Sequence, residues 1–372
     1  MAEYLTNTTD LTKVAAAIRE KGGTSASLVY PDGFVTAIQA IQTGTELQII
    51  VSVTSGATVT ATKGSKVLSG TSVNGTCTLT VPEAGEWTVS ATLGGQTSNS
   101  NIVNVVSSYD TSLAFISTTL NDNSWEAIRG ISDAGQGANY WSIGDRKAVT
   151  LNGTVRALTL SNYTTYAFII GFNHNASVEG TNRIHFQLGK TALSGGTDVA
   201  LCDRYYNQYG DGFRMNTSSS NSGGWASSTM RTAICGTSLS SYSGTIIAVI
   251  PEALRAVLKS VTKYTNNTGI VINPTAPTAT TDYFFLLSEY EVFGSTTYAN
   301  SNEASKQAQY SYYSAGNSKV KYNHSATSTA VNWWLRSPYA KGSLNFARVR
   351  TDGTVYASNA DYSHGFAPGF CV

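Results

Sequence analysis

Charge is scarce in this sequence: charged residues make up 13% of its 372 residues, and the formal net charge is +1. A chain this close to neutral lacks the positive surface that attracts nucleic acid or anionic membranes, so neither is expected as a partner. No run of about 18 or more apolar residues occurs, which argues against a membrane helix. The first twenty residues contain Glu3, Asp10, Lys13 and Arg19 and lack an apolar core, so no standard secretory signal is expected.

Cysteine and histidine are also few, with four of each. The cysteines show no Cys-x-x-Cys spacing, so buried free thiols are expected, although one bridge among the last three stays open. The histidines show no metal-ligand spacing, so the sequence predicts no metal and no cofactor. These residues are Cys77, Cys202, Cys235 and Cys371, and His174, His185, His324 and His364.

What the chain does contain is typical of β structure. It has 34 glycines, 21 tyrosines and only 7 prolines, and its apolar residues come in short alternating bursts between turn residues. Its length suits two or three domains. We therefore predict a multidomain, mainly β protein with a short N-terminal helical segment.

Residues 1–45 carry the helical pattern. Asp10 precedes apolar residues at helical spacing and Gly22-Gly23 follows them, which predicts a helix over 11–21. A second run from Phe34 to Ile41 predicts another short helix. Helices this short need a partner for their apolar faces. The segment is interpreted as a docking hairpin, with packing of the two helices on each other as the alternative.

Residues 46–106 change to period-two alternation interrupted by Asn74-Gly75 and several other glycines. About seven short strands in this length predict a compact β-sandwich that resembles immunoglobulin-like modules, with Trp87 in its core. Residues 107–119 are predicted to be a linker. Residues 120–372 are predicted to form an α+β domain, with strands over 148–151, 156–160, 167–172 and 183–188 and helices over 228–234 and 251–261.

Several motifs of this last domain occur in an order that resembles bacterial and phage proteins with a C-type-lectin-like fold. They are Trp141-Ser142-Ile143-Gly144-Asp145, Asn221-Ser222-Gly223-Gly224-Trp225, Met230-Arg231, the segment from Leu286 to Gly294, and Trp333-Trp334-Leu335-Arg336-Ser337-Pro338. The calcium-ligand motifs Glu-Pro-Asn and Gln-Pro-Asp are absent from the sequence, which disfavours calcium-mediated sugar binding. Related lectin-like domains include the variable proteins of diversity-generating retroelements, whose C-terminal residues are mutagenised. The resemblance implies that the stretch from Tyr339 to His364 would be the diversified one.

The N-terminal segment is similar to the openings of phage tail-associated proteins, at Ala17-Ile18-Arg19 and Tyr30-Pro31-Asp32-Gly33-Phe34. Together the two resemblances imply a phage tail or fibre adhesin. Such a protein would be part of the virion, would dock to other tail proteins through residues 1–45, and would be a homotrimer by analogy with tail proteins. Display on a bacterial cell surface is the alternative location.

The segment from Arg348 to Tyr356 permits two hairpin registers. A two-residue Asp-Gly loop would place Val349 and Val355 on opposite faces, which no single core favours. A three-residue loop with Gly353 in the left-handed position of a bulge pairs Val349 with Val355 and sets Arg348 opposite Tyr356. The sequence favours the second register.

That register places Phe346, Arg348, Arg350, Tyr356 and Ser358 on an outward face. The flanking loops add tyrosine, serine and asparagine, the mixture that antibody loops use for recognition. We predict that these residues bind a host-surface protein or glycan. The full set is Tyr339, Lys341, Ser343, Asn345, Phe346, Arg348, Arg350, Tyr356, Ser358, Asn359, Asp361, Tyr362 and His364.

Two other functions are weighed against recognition. Glu289 and Glu291, two apart, would share one side of a strand and could act as the carboxylate pair of a cell-wall glycan hydrolase. The same glutamates could instead pair with a buried arginine, for which Arg336 is the candidate. The chain could also be a structural tail subunit that binds no ligand. We predict a protein that is not an enzyme.

Overall fold

The computed structural model describes residues 8–22, 27–40, 46–267 and 276–372. The chain divides into two compact units, Met1–Phe115 and Ile116–Val372. It is multidomain and mainly β with few helices, as predicted. None of the helices in the described ranges is long and apolar enough to span a bilayer.

The first unit begins with the two predicted helices, α1 (Thr8–Gly22) and α2 (Asp32–Ala40). They pack on each other through Ala15, Ile18 and Phe34, which are 6–7% exposed. The helical segment is therefore confirmed, and its two helices do share a small core.

Part of the apolar surface of this hairpin stays uncovered. Val14, Val35 and Ile38 are 48%, 51% and 53% exposed. Gly23 and Ile41, which were predicted at the helix ends, lie outside the described residues, as does the side chain of Asp10.

Eight short strands follow the helices. They are β1 (Gln48–Ser52), β2 (Thr58–Lys63), β3 (Lys66–Thr71), β4 (Thr76–Thr80), β5 (Gly85–Leu93), β6 (Gln96–Thr97), β7 (Asn101–Val105) and β8 (Ser108–Ser112). They form two sheets around one core, one with the order β4-β1-β8 and the other with the order β3-β2-β5-β6, in which β7 also pairs with β5. Trp87, the predicted core residue, is fully buried, and its indole N–H donates to the carbonyl of Glu83.

The predicted linker over 107–119 is wrong. Ser108–Ser112 form β8, which pairs in parallel with β1, and Leu113 is buried in the same core. The polar composition of this stretch suits an edge strand whose side chains face solvent, which is why it was mistaken for a linker. The boundary between the units falls after Phe115.

The second unit has one large core and combines thirteen strands with short helices in its described part. The α-helices are α3 (Trp125–Asp133), α4 (Gly137–Tyr140), α5 (Ala176–Glu179), α6 (Gly224–Ser227), α7 (Ile246–Val249), α8 (Glu252–Arg255), α9 (Glu289–Phe293) and α10 (Ser311–Ser314). The strands are β9 (Arg146–Val155), β10 (Leu158–Phe172), β11 (Ile184–Lys190), β12 (Val199–Ala200), β13 (Val261–Thr265), β14 (Thr278–Asp282), β15 (Phe284–Phe285), β16 (Lys321–Asn323), β17 (Ala326–Val331), β18 (Trp333–Pro338), β19 (Asn345–Val349), β20 (Val355–Asn359) and β21 (Gly369–Cys371). Two 3₁₀ helices, Leu120–Asp122 and Ser301–Lys306, and a π-helix, Met230–Cys235, complete it.

Two sheets organise this unit. The larger has the order β15-β21-β11-β10-β9, so the late strand β21 lies between two others. The smaller, β18-β19-β20, contains the hairpin singled out from the sequence.

Helix lengths were the weakest predictions. The predicted helix at 228–234 corresponds to the π-helix Met230–Cys235. The predicted helix at 251–261 is shorter than expected, since α8 covers only Glu252–Arg255 and Val261 already belongs to β13. All four cysteines are buried free thiols. Trp333 and Trp334, from the last of the motifs quoted for the resemblance, are fully buried.

Candidate ligand-binding surface

The β19–β20 hairpin has the predicted register. Val349 pairs with Val355, and Arg348 pairs with Tyr356. The backbone N–H of Arg350 donates to the carbonyl of Thr354 at 2.7 Å, and the N–H of Gly353 donates back to Arg350 at 2.9 Å. Gly353 has φ of +83°, a value that is unfavourable for residues with a Cβ atom, so this position of the turn favours glycine.

One row of this sheet runs from the core to the solvent. Trp334 on β18 pairs with Arg348 on β19, which pairs with Tyr356 on β20. Trp334 is fully buried, Arg348 is half-buried and Tyr356 is 48% exposed. The guanidinium carbon of Arg348 lies 5.9 Å from the centre of the Tyr356 ring, within the range of a cation–π contact.

Two predicted binding residues are not accessible. Phe346 is 0% exposed, because β19 is the middle strand of its sheet and this end of it lies inside the large core. His364 is 1% exposed, packs 4.7 Å from the ring of Trp334, and has its Nε2 2.9 Å from the hydroxyl of Ser358. Burial, with the nearby Arg348 charge, lowers the pKa of His364 to about 3, so its imidazole is neutral. The prediction that these two side chains contact a ligand is therefore wrong.

The loop between β18 and β19 carries three of the predicted residues, Tyr339, Lys341 and Ser343, and Asn221 anchors it from the interior. The fully buried side-chain amide of Asn221 donates to the carbonyls of Tyr339, Gly342 and Asn345 at 3.2, 2.7 and 2.9 Å. Its backbone N–H donates to the carbonyl of Ser343 at 2.8 Å. Four hydrogen bonds from one residue fix the path of this loop, so its side chains project from a defined backbone.

A second loop, which the sequence did not single out, borders the same surface. Its backbone at Asn207 and Gln208 exchanges hydrogen bonds with Ser363, and Tyr209 forms a bridge with Tyr362. The Tyr209 and Tyr362 rings lie 4.2 Å apart, with Tyr209 58% exposed. The tyrosine, asparagine and glycine content of residues 205–212 matches that of the predicted loops and could have revealed it.

Tyr298 is the other binding-surface residue missed in the sequence. Its ring lies 5.6 Å from that of Tyr339 and 5.3 Å from that of Tyr356, so it joins the β18–β19 loop to the hairpin. We call the five residues Tyr209, Tyr298, Tyr339, Tyr356 and Tyr362, with Arg348 and Arg350, the tyrosine surface.

The remaining predicted residues are at least partly accessible. Asn345 and Asn359 bond to each other across the hairpin at 2.8 Å. Arg350 stacks 5.6 Å from the Tyr356 ring and lies 3.8 Å from Asp352. The accessible members of the predicted set are Tyr339, Lys341, Ser343, Asn345, Arg348, Arg350, Tyr356, Ser358, Asn359, Asp361 and Tyr362.

Comparison with known proteins places the two strands of the hairpin and their flanking loops inside one conserved domain model. Residues 198–372 match a domain of unknown function, DUF6273. No curated protein matches the chain. The DUF6273 match includes the whole tyrosine surface, whereas β9, β10 and β11 of the same compact unit precede it.

Within the DUF6273 match, Glu289 and Glu291 do not form the exposed pair that a glycan hydrolase would need. They lie in helix α9, not on a strand, and both are 0% exposed. Glu289 accepts hydrogen bonds from the backbone of Thr297, Tyr298 and Ala299, and so positions the segment that carries Tyr298.

Glu291 is the carboxylate partner expected for Arg336. Both guanidinium Nη atoms of Arg336 donate to it, and the ammonium of Lys263 lies 2.9 Å from its Oε1. Burial alone would raise the pKa of Glu291, but Arg336 and Lys263 hold it well below its usual range. Glu291 is thus a structural ion and part of a charge-balanced core.

The same core brings together His174 and His185, which lie on either side of Glu179 in the sequence. His174, Glu179 and His185 have ligand-type atoms within 4.8 Å of one another, so the histidines are not scattered in space as they are in the sequence. However, Lys263 lies 2.7 Å from Glu179 and 2.8 Å from the Tyr310 hydroxyl. Burial, with the Lys263 charge, lowers the pKa of His185 well below its usual value. The ammonium therefore already neutralises the carboxylate that a metal would use.

Proposed function

We propose that this protein is a receptor-binding protein of a phage tail, which binds a host-surface ligand through the tyrosine surface. The observation that carries the proposal is the set of accessible tyrosines on a hairpin and two loops whose backbones are fixed by hydrogen bonds, with Tyr356 beside Arg348. Tyrosine rings offer large contact area at low conformational cost, and a rigid backbone avoids the entropy of ordering loops on binding.

The proposal includes the two fold assignments that the sequence suggests. The sandwich over 46–115 would be an immunoglobulin-like module, and the second unit would have a C-type-lectin-like fold. In support, the sandwich has two sheets around a buried tryptophan, and the second unit combines a sheet of distant strands with a projecting hairpin.

A retroelement could diversify the accessible residues of the tyrosine surface without loss of the core. Phe346, Ser363 and His364 are at most 1% exposed, so they would have to remain constant while Tyr339, Lys341 and Tyr356 vary. Sequencing the flanking DNA tests this. A near-identical repeat that differs at adenines in the codons of exposed residues is expected, and differences concentrated in the codons of the three buried residues would contradict it.

The helical hairpin within residues 1–45 would attach the protein to other tail proteins. Its exposed Val14, Val35 and Ile38 form the kind of apolar patch that a partner covers. Several copies on one particle, a trimer in our proposal, would raise the effective affinity of a weak site. Display on a bacterial surface would use the same hairpin for a different partner.

Adsorption of the full-length protein to intact bacterial cells tests the proposal. The double variant Tyr356→Ala, Tyr362→Ala should lose adsorption while its melting temperature stays near that of the wild type, because both side chains are partly exposed. Tyr109→Ala is the matched control, since Tyr109 is 40% exposed but belongs to the first unit. Normal adsorption by the double variant would refute the proposed surface. A structural tail subunit, the second candidate, would adsorb to no cells at all.

A further inference from the structure

Arg348 contacts no carboxylate in the part of the chain that the structure describes. Several other cations in the interior of the second unit do: Lys190 contacts Asp198, Arg231 contacts Asp282, Lys263 contacts Glu179 and Glu291, and Arg336 contacts Glu291. Lys147 instead donates to the backbone carbonyls of Asn121 and Asn123. In contrast, Nε and Nη1 of Arg348 are buried and have no hydrogen-bond partner among the described residues.

The surroundings of Arg348 are aromatic and cationic. The groups that act on its charge are Tyr206, Tyr356 and a second cation, Arg350. Arg350 has Asp352 at 3.8 Å, so the uncompensated positive charge belongs to Arg348. Removing a charge from water without a partner is costly, and the protein keeps this one beside the exposed Tyr356 ring of its tyrosine surface.

Lys321 shows why the position of Arg348 matters. Its Nζ also has no hydrogen-bond partner in the described part of the chain, but it is 1% exposed and lies between the rings of Phe168 and Trp333, at 5.4 and 5.2 Å. No ligand can reach it without opening the core. Arg348 is only half-buried, and the Tyr356 ring beside it is 48% exposed, so a group from outside can reach its guanidinium by displacing one surface side chain.

We propose that Arg348 binds a carboxylate of the ligand and that this carboxylate is an aspartate or glutamate side chain of a host-surface protein. The inference rests on the proposed function and adds the chemistry of the anchor. A guanidinium presents a planar fork that matches a carboxylate with two parallel hydrogen bonds. One uncompensated cation calls for a monoanion, which favours a carboxylate over a dianionic phosphate. A protein is the favoured source because tyrosine and arginine are the residues that dominate the binding energy of protein interfaces.

The first test uses defined probes on the full-length protein. The probes are glutamate and glutamine whose amino and α-carboxyl groups are both capped, as the N-acetyl N′-methylamides, together with glucuronate, and each is titrated while the arginine Nε–H resonances are followed by NMR. The capped glutamate, whose only charge is its side-chain carboxylate, should shift the Arg348 signal with a Kd of about 1 mM, and the uncharged capped glutamine should not. Equal shifts by the acid and the amide, or none by either, would overturn the carboxylate. A response to glucuronate alone would overturn the protein source in favour of an acidic glycan.

The second test separates binding from structure. Arg348→Met should be at least as stable as the wild type in urea, because it removes a half-buried charge that has no partner, yet it should adsorb to host cells at least tenfold more weakly. Lys306→Met removes an exposed charge of the second unit that lies outside the predicted binding residues, and this variant should adsorb normally. A clear loss of stability in Arg348→Met would show a structural role and overturn the inference. If Arg348→Met adsorbs normally while the double tyrosine variant does not, the inference fails and the proposed function stands.

Discussion

Removal of the Lys263 ammonium should destabilise the second unit more than removal of any exposed cation. Lys263 lies 2.7 Å from Glu179 and 2.9 Å from Glu291, and its side chain is 0% exposed. In Lys263→Met, Glu291 keeps Arg336 as a partner. Among the residues that the structure describes, Glu179, whose side chain is 3% exposed, keeps only the two buried histidines within 4 Å. The variant therefore leaves the buried Glu179 carboxylate without its lysine partner.

The expected cost follows from that uncompensated charge. Breaking a buried ion pair by removing one partner costs about 3–5 kcal/mol, against a total stability of about 5–15 kcal/mol for a typical domain. With a urea dependence of about 3 kcal/mol per molar, the unfolding midpoint should fall by more than about 1 M. The protein should still fold at low urea.

Urea unfolding of the full-length protein, followed by tryptophan fluorescence, measures this midpoint. Lys341→Met, the same substitution at an exposed position of the same unit, is the control and should leave the midpoint unchanged. Adding Glu179→Gln to Lys263→Met removes the orphaned charge and should restore part of the loss. A midpoint within about 0.3 M of the wild type at pH 7, or no recovery in the double variant, would refute the reasoning.

Three further predictions concern the framework of the tyrosine surface. Asn221→Leu removes the side-chain donor of three part-buried carbonyls, of which, within the described ranges, only that of Asn345 keeps another donor, the backbone N–H of Tyr339. The variant should therefore cost about 1–3 kcal/mol in urea unfolding and weaken adsorption, and unchanged stability would contradict the role of Asn221 in fixing the loop. Gly353→Ala places a Cβ at φ +83° and 3.2 Å from Val320, so it should lower stability by about 1–2 kcal/mol, whereas Thr351→Ala, at an exposed position of the same turn, should not. His364 has a pKa of about 3 in the folded protein against an ordinary value of 6.5, so it contributes stability that is present above about pH 6.5 and is lost as the pH falls towards 3. His364→Asn should therefore flatten the pH dependence of the urea midpoint in that range. An unchanged profile would count against a neutral buried imidazole.

The hairpin register could be predicted because it depends on local rules. Val349 and Val355 must share a face, and a glycine was available for the left-handed position of the turn. The same alternation then placed Phe346 outside, which is wrong. Alternation assigns residues to faces but does not say whether both faces of a middle strand are covered, and at Phe346 both are.

Long-range partners were less accessible to sequence reasoning. Arg336 could be assigned a glutamate because the motif suggested a buried cation, but Lys263 and Glu179 carried no local signal of their contact. Tyr298 and Tyr209 were missed for the same reason, since their neighbours on the surface are 41 or more residues away in the chain. The strand at 108–112 was missed because it pairs in parallel with β1, and a parallel pair has no connecting hairpin turn that could be recognised in the sequence.

The position of β21 sets an order on the biosynthesis of this protein. Residues 369–371 fill the gap between β15 and β11, and the ring of Phe370 contacts those of Phe186 and Phe284. The nascent chain cannot complete this sheet until residues 369–371 have left the ribosome. Folding of the second unit therefore finishes only after these residues are synthesised, whereas the strands of the sandwich are synthesised earlier and can pair while translation continues. Cys371 and Val372 are 0% exposed, so any segment joined directly after Cys371 would meet buried surroundings.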